Sequence, residues 1–333
     1  MKYKTIKTNY KEIDKCIKYI KNTLNEYYIK EYTINDYKNI IISNYDTNDF
    51  DIIFCGHIDV VPDKNYDNKI IDGKLYGRGS ADMKSQVATM MALFKNLKTK
   101  KKVALLITSD EEIGGYCCKE ILKNYNSKLA IVPDGGTNFN LIVEEKGLLQ
   151  VKITALGKSF HSSEPFNGIN AIEKLINYYD KLIKIFPKST KDEFKTTVNL
   201  SLINGGDTYN KVPDNASMVL DIRFNNDYNY DKLIKILNSI DKSLKVEVLD
   251  YGPTFSCDTN NKYIIEFIKN SNNILGRKIN MVKACSTGDS IYFSEKNIPT
   301  IMINPEVYNL HSDNEYIVIK SLEKLYELFK SLI

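Results

Sequence analysis

Short apolar runs alternate with longer stretches of helical periodicity along most of the chain. IIFCGHIDVV (52–61) predicts a buried strand, and Met83 to Leu97 carries apolar side chains at helical spacing. VALLITS (103–109) predicts a second strand, Tyr116 to Tyr125 a helix, and LAIV (129–132) a third strand. That β-α-β-α-β rhythm implies an α/β sheet with helices on its faces.

The texture changes near residue 150. LLQVKITALG (148–157) alternates apolar and polar positions, the pattern of a half-exposed strand. A helix is expected at Gly168–Phe186, strands at Thr196–Ile203 and Ala216–Phe224, a helix at Asp231–Ile240 and a strand at Leu244–Leu249. This β-α-β-β-α-β order is that of a ferredoxin-like sandwich. Tyr251-Gly252-Pro253 punctuates its end. The earlier rhythm then resumes, with a helix at Lys262–Leu275, a strand at Thr300–Ile303 and a last helix at Ile317–Leu332. The expected architecture is α/β with two domains. Residues 1–150 and 251–333 form one discontinuous α/β domain, interrupted by an α+β insert at 151–250. A chain of 333 residues suits two domains, at roughly 150 residues each.

Charge removes one class of function. The net charge is +4, and the lysines are spread along the chain among acids. A nucleic-acid binder concentrates them on one surface. The one dense run, Lys98 to Lys102, lies between a helix-like and a strand-like segment and reads as a solvated turn. No nucleic-acid partner is expected. No apolar leader opens the chain, and no run reaches the roughly 18 apolar residues of a membrane span. Six cysteines occur without a CxxC pair, so free thiols in a reducing cytoplasm are expected. Cys55 in the first strand, and Cys117 with Cys118 after Gly-Gly-Tyr, read as packing residues. Glu144 and Glu145 read as the solvated end of a strand at the domain junction.

The polar residues at strand ends carry the chemistry. Only three histidines occur, His57, His161 and His311, each in a polar, Gly-, Ser- or Asp-flanked segment. His57 and Asp59 fall on the same side of an extended segment. One suits a metal, and the other suits the second imidazole N–H. A buried His–Asp hydrogen bond without metal is the plainer alternative. Asp82, in GRGSADMK, stands just before a helix, where Asp is also a favoured N-cap. In SDEEIGG, three successive acids would repel unless cations neutralise them or the turn is exposed. Adjacent side chains diverge, so Glu111 and Glu112 can serve as base and ligand. Asp134 adds a carboxylate after LAIV. Four such groups at the carboxyl ends of strands occupy the usual site of open α/β sheets. Nitrogen and oxygen ligands without cysteine suit Zn²⁺, Mn²⁺ or Co²⁺. So many carboxylates suit two ions with Asp82 bridging them, a clamp for hydrolysis.

HxDVVP, GRGxxDMK, DEExGG, a later acid and a C-terminal histidine, in that order, resemble the M20 family of metallopeptidases over nearly the whole chain. That family includes succinyl-diaminopimelate desuccinylase, acetylornithine deacetylase, aminoacylase, carboxypeptidase G2 and di- and tripeptidases. GKSFHSSEPFNGINAI (157–172), NGGDTYNKVPD (204–214) and LDIRF (220–224) resemble its lid segments. The resemblance implies that His57 and Asp134 hold one metal, Glu112 and His311 the other, and that Asp82 bridges. It implies that Asp59 orients His57 and that Glu111 deprotonates the bridging water and protonates the leaving amine. His161 would stabilise the oxyanion, Arg223 grip a substrate carboxylate, and Asn210 support binding from the lid. The loop STGDS (286–290) resembles the family's substrate loop with its Gly-Thr order altered, and gives Gly288 as a contact. Dimerisation through the insert is a further implication. Asp134 stands where many deacylases carry Glu, and dipeptidase-like members carry Asp. Two metal ions, Zn²⁺ first, and an N-acyl amino acid substrate are therefore expected, with a dipeptide as the alternative. A non-catalytic relative is the third reading, and the filled ligand and base positions speak against it.

Overall fold

The computed structural model describes residues 2–63, 66–190 and 193–333. By its contacts the chain divides into two compact units, Met1–Glu144 with Ser256–Ile333, and Glu145–Phe255. The divisions at 150/151 and 250/251 expected from sequence fall inside the strands Gly147–Leu156 and Lys245–Gly252. These two strands pair with each other along most of their length, so neither can be divided between units.

In the first unit a six-stranded sheet runs in the order Tyr28–Ile34, Tyr37–Ser43, Val103–Thr108, Ile52–His57, Ala130–Val132 and Thr300–Met302. The last four are mutually parallel. The first two form an antiparallel hairpin on one edge, joined through Asn35 and Asp36, both at positive φ. Asn and Asp tolerate that left-handed conformation best among residues with a Cβ. Every residue of Ile52–His57 and Val103–Thr108 is buried, as expected for strands covered on both faces.

Lys84–Lys95 packs against Ile319–Lys330, which also packs against Lys262–Leu275. Phe54 and Phe329 meet edge to face, with ring centroids 5.2 Å apart. Gly56 admits a close approach at the strand end. A Cβ there would lie 2.8 Å from the terminal methyls of Met83 and Met90. The start of the helix Lys84–Lys95, and Asp82 before it, thereby sit against the end of Ile52–His57. Among the described residues no helix is long and apolar enough to cross a membrane.

The second unit has an antiparallel sheet in the order Thr197–Gly205, Asn215–Phe224, Gly147–Leu156, Lys245–Gly252. Its element order and strand order are those of a ferredoxin-like sandwich. Alternate residues of Asn215–Phe224 and Gly147–Leu156 are buried and form its core with Leu175, Tyr178 and Leu182 of the helix Ala171–Ile185, and Leu233 and Leu237 of the helix Tyr230–Ile240. Asn170 and Asn229 cap these helices, the first accepting two backbone N–H bonds and the second one.

Residues 1–51, to which the sequence pattern assigned no element, hold the helix Tyr10–Thr23 and the edge hairpin. Two sequence expectations shift. The final helix begins at Ile319, because Tyr316–Val318 pairs as a strand with Lys74–Tyr76. Glu145 is 2% exposed, so it is not a solvated strand end.

Candidate metal centre

In the first unit the carboxyl ends of the parallel strands Ile52–His57, Val103–Thr108 and Ala130–Val132 converge with the segments carrying Asp82 and His311, which follow the short antiparallel strands Lys74–Tyr76 and Val307–Tyr308. His57 ends its strand with its ring 1% exposed. Its Nδ1 lies 3.4 Å from Asp59 Oδ1 and 3.1 Å from the Asp59 carbonyl oxygen. Asp59 Oδ2 accepts the Glu112 N–H at 2.9 Å. Asp59 thus holds the imidazole through its carbonyl oxygen, sets its carboxylate beside the ring, and fixes the acidic turn through that carboxylate.

Asp82 is not a helix cap. The N-cap of Lys84–Lys95 is Met83. Asp82 instead sends Oδ1 to His57 Nε2 and Oδ2 to His311 Nε2, each at 3.0 Å. Two imidazoles brought from 254 positions apart (311 − 57) thus share one carboxylate.

The three successive acids separate as their alternating directions require. Asp110 turns inward and accepts the Cys117 N–H at 2.9 Å. Glu111 Oε2 lies 3.9 Å and Asp134 Oδ2 3.7 Å from His57 Nε2. Glu112 Oε2 lies 3.2 Å from His311 Nε2. Gly114 and Gly115, both at positive φ, complete the turn. A Cβ on Gly115 would lie 2.4 Å from Asp289 Oδ1, so only glycine fits. A Cβ on Gly288 would lie 3.4 Å from Glu111 Oε1 and 3.7 Å from Asp134 Oδ2, which places this loop glycine at the wall of the centre.

The sequence candidates fall into two groups, His57, Glu111 and Asp134, and Asp82, Glu112 and His311, each with donor atoms within 4.8 Å of one another; a third such group, Cys55, Cys118 and Asp289, lies buried outside the candidate set. The donor set fits two divalent cations. Asp82, Glu111, Glu112 and Asp134 bring four carboxyl groups into a half-buried space, and two such cations balance their charge once all four are ionised. Glu112 Oε1 is buried with no hydrogen-bond partner among the described residues, which leaves its lone pairs open to an ion.

Burial holds the Glu111 carboxyl well above its ordinary range; His57 opposes this, and Asp134 and Asp289 add to it. Burial, with Asp82 next, lifts Asp134 to about 7. Hydrogen bonds to Asp82 and then Glu112 lift His311 to about 10. At His57 burial works against the charged ring, but Asp59 and Asp82 together raise it well above its ordinary value. In protein stripped of cations, the folded chain therefore holds protons that the unfolded chain releases. The window runs from 3.8 to about 7 for Asp134 and from 6.5 to about 10 for His311. Stability of the stripped protein is expected to fall as pH rises from about 5 to about 8. Zn²⁺ is expected to raise Tm most at the upper end, because cation and protons compete for the same atoms. Calorimetry across that range is the check, and a stripped-protein Tm that climbs with pH contradicts it.

The second unit carries the remaining sequence candidates. His161 is exposed, with Nδ1 2.7 Å from Ser163 Oγ. It bridges to Lys211, and the Ser162 N–H donates to the Asn210 carbonyl at 3.1 Å, so His161 and Asn210 stand on adjoining strands of backbone. Arg223 Nε donates to Asp221 Oδ1 at 2.9 Å on the same face of its strand. Sequence reasoning missed two buried residues beside Asp82, Arg78 and Glu315. The only signal was their place within the GRGSADMK and HSDNEY motifs.

A sequence profile of peptidase family M20/M25/M40 matches residues 53–333. The chain belongs to this family. An uncharacterized metallohydrolase of Methanocaldococcus jannaschii is 28% identical over 95% of this chain and 92% of its own length. The succinyl-diaminopimelate desuccinylase of Wigglesworthia glossinidia brevipalpis is 30% identical over 85% of this chain and 83% of its own. The crystal structure of a Staphylococcus aureus tripeptidase superposes with a TM-score of 0.80 at 20% identity, covering 97% of this chain and 92% of that one, which confirms the fold. As a member of the M20 family the protein is a metallohydrolase, and the two side-chain groups are its candidate metal-binding residues.

Proposed function

We propose that this protein hydrolyses the amide bond of N-acyl amino acids, in the manner of a desuccinylase or deacetylase, using two divalent cations. The observation that carries the reading is the Asp82 carboxylate shared between His57 and His311, with Glu111 beside one imidazole and Glu112 beside the other. His57 and Asp134 would hold one cation, Glu112 and His311 the second, and Asp82 both. Zn²⁺ suits these donors, with Co²⁺ and Mn²⁺ as substitutes. Bound there, the cations would acidify a water and polarise the scissile carbonyl.

Glu111 takes the proton from the attacking water and returns it to the leaving amine. Asp59 keeps His57 in the tautomer that presents Nε2 to the centre. The absence of a side chain at Gly288 leaves room for the substrate beside Glu111. By resemblance His161 stabilises the oxyanion, Arg223 receives the substrate carboxylate and Asn210 supports binding. The inserted unit acts as lid and dimerisation surface on the same ground. Its edge strand Thr197–Gly205 exposes Leu202 and Ile203 and pairs on one side only among the described strands. A reducing cytoplasm suits the six free cysteines.

Asp134 favours a second reading, a dipeptidase. Cation-reconstituted protein is to be assayed on N-succinyl and N-acetyl amino acids and on dipeptides with a free amino terminus. Turnover of the acyl amino acids is expected. Turnover of dipeptides alone would replace the first reading by the second.

A further inference from the structure

The segments that carry Asp82 and His311 come from distant parts of the chain, and one buried carboxylate ties them together. Glu315 Oε1 accepts the Ala81 N–H at 2.8 Å and the Asp82 N–H at 3.1 Å. Its Oε2 pairs with Arg78 Nη1, and its carbonyl oxygen accepts the Gly77 N–H at 3.1 Å. Arg78 Nη2 lies 3.5 Å from Asp63 Oδ2. Arg78 is 4% exposed and Glu315 1%. Taking an ion pair out of water gives little net stability, so support of the fold alone is a weak reason for this arrangement.

Its placement suggests a better reason. Glu315 grips the peptide N–H of Asp82 itself, and it stands four positions after His311 (315 − 311). Between them the loop is held by Asn309 Nδ2 donating to the Asn314 carbonyl at 3.1 Å, with His311 at a φ of 61°. A shift of Glu315 therefore moves the bridging carboxylate and the imidazole it faces. We propose that Glu315, held by Arg78, is a positioning residue that sets Asp82 between the two imidazoles and thereby sets the affinity for cations. This inference rests on the reading of Asp82 and His311 as cation ligands.

Glu315→Gln keeps the size and one acceptor oxygen and removes the charge facing Arg78. Zn²⁺ is titrated calorimetrically into stripped wild type and variant, and the melting of both stripped proteins is recorded alongside. The dissociation constant of at least one cation is expected to rise about 10- to 100-fold, the usual effect of losing a group that orients a ligand. Two cations bound by the variant with wild-type constants overturn the inference, whatever the melting temperature does. A variant that melts earlier but binds normally marks a structural role only and also overturns it. Should Glu315→Gln fail to fold, Arg78→Lys carries the test, because it keeps the charge but loses the planar fork. Unchanged constants there overturn the inference too. A wild type that binds no cation removes the underlying reading, and the inference falls with it.

Discussion

Glu111→Ala is expected to lower kcat by roughly 10²- to 10⁴-fold, the usual contribution of a positioned general base, while two cations remain bound. The structure frames the alternative clearly. Glu111 stands with His57 and Asp134 in one candidate group, 3.9 Å from the His57 Nε2 atom. If Glu111 were a ligand, the alanine variant would lose one cation along with its activity. As a base it loses turnover only, and KM stays within a few-fold because the substrate's remote contacts are untouched. Steady-state kinetics beside a metal count separates the two. Glu111→Gln is expected to behave as the alanine variant does, since the amide cannot take a proton at the same position. The same protein also tests the lid. Mixed with His161→Ala, it recovers activity only if the histidine of one subunit serves the centre of another, and a mixture that stays inactive restricts His161 to its own chain.

Asp82→Ala is expected to abolish activity and to weaken binding of both cations by more than about 100-fold, beyond the range for a merely supporting group. Its carboxylate alone reaches both histidines among the described contacts, with Oδ1 3.0 Å from His57 Nε2 and Oδ2 3.0 Å from His311 Nε2. Removing them also strands the buried ring of His57, which Asp59 and Asp82 together keep protonated in the stripped protein. Asp82→Asn preserves the shape and lowers the charge, so its loss of affinity should be smaller but of the same kind. A variant that releases one cation and keeps the other at its normal affinity contradicts a bridging role.

Much of the centre was legible as text because its residues sit in short polar motifs at the ends of apolar runs. The strand Ile52–His57 had to end where polar side chains begin, and the sequence GHIDVVP marks that point. SDEEIGG announced a turn through its glycines, and the fold uses both at positive φ. The first 51 residues were harder. The strand Tyr28–Ile34 lies at the sheet edge with no residue fully buried, so alternation is faint. The helix Tyr10–Thr23 buries only Ile13, Cys16, Ile17 and Ile20 among many lysines.

Arg78 and Glu315 were illegible for a different reason. A charged residue in a loop reads as solvated by default. Only its partner, 237 positions away, reverses that expectation, and the partner is recognisable only once the fold has joined them. Glu145 likewise reads as solvated from its place at the end of an apolar run, yet it is buried.

By itself the sequence determined the kinds of donor, their order along the chain, the α/β rhythm and the βαββαβ insert, because periodicity and local motif are properties of neighbouring residues. The tertiary structure alone decided which carboxylate faces which imidazole. It separated Asp110 from Glu111 and Glu112, set Asp82 between His57 and His311, and buried Glu315 behind it. Those choices depend on distances between segments as much as 233 positions apart, which only close packing of the sheet and its helices can fix.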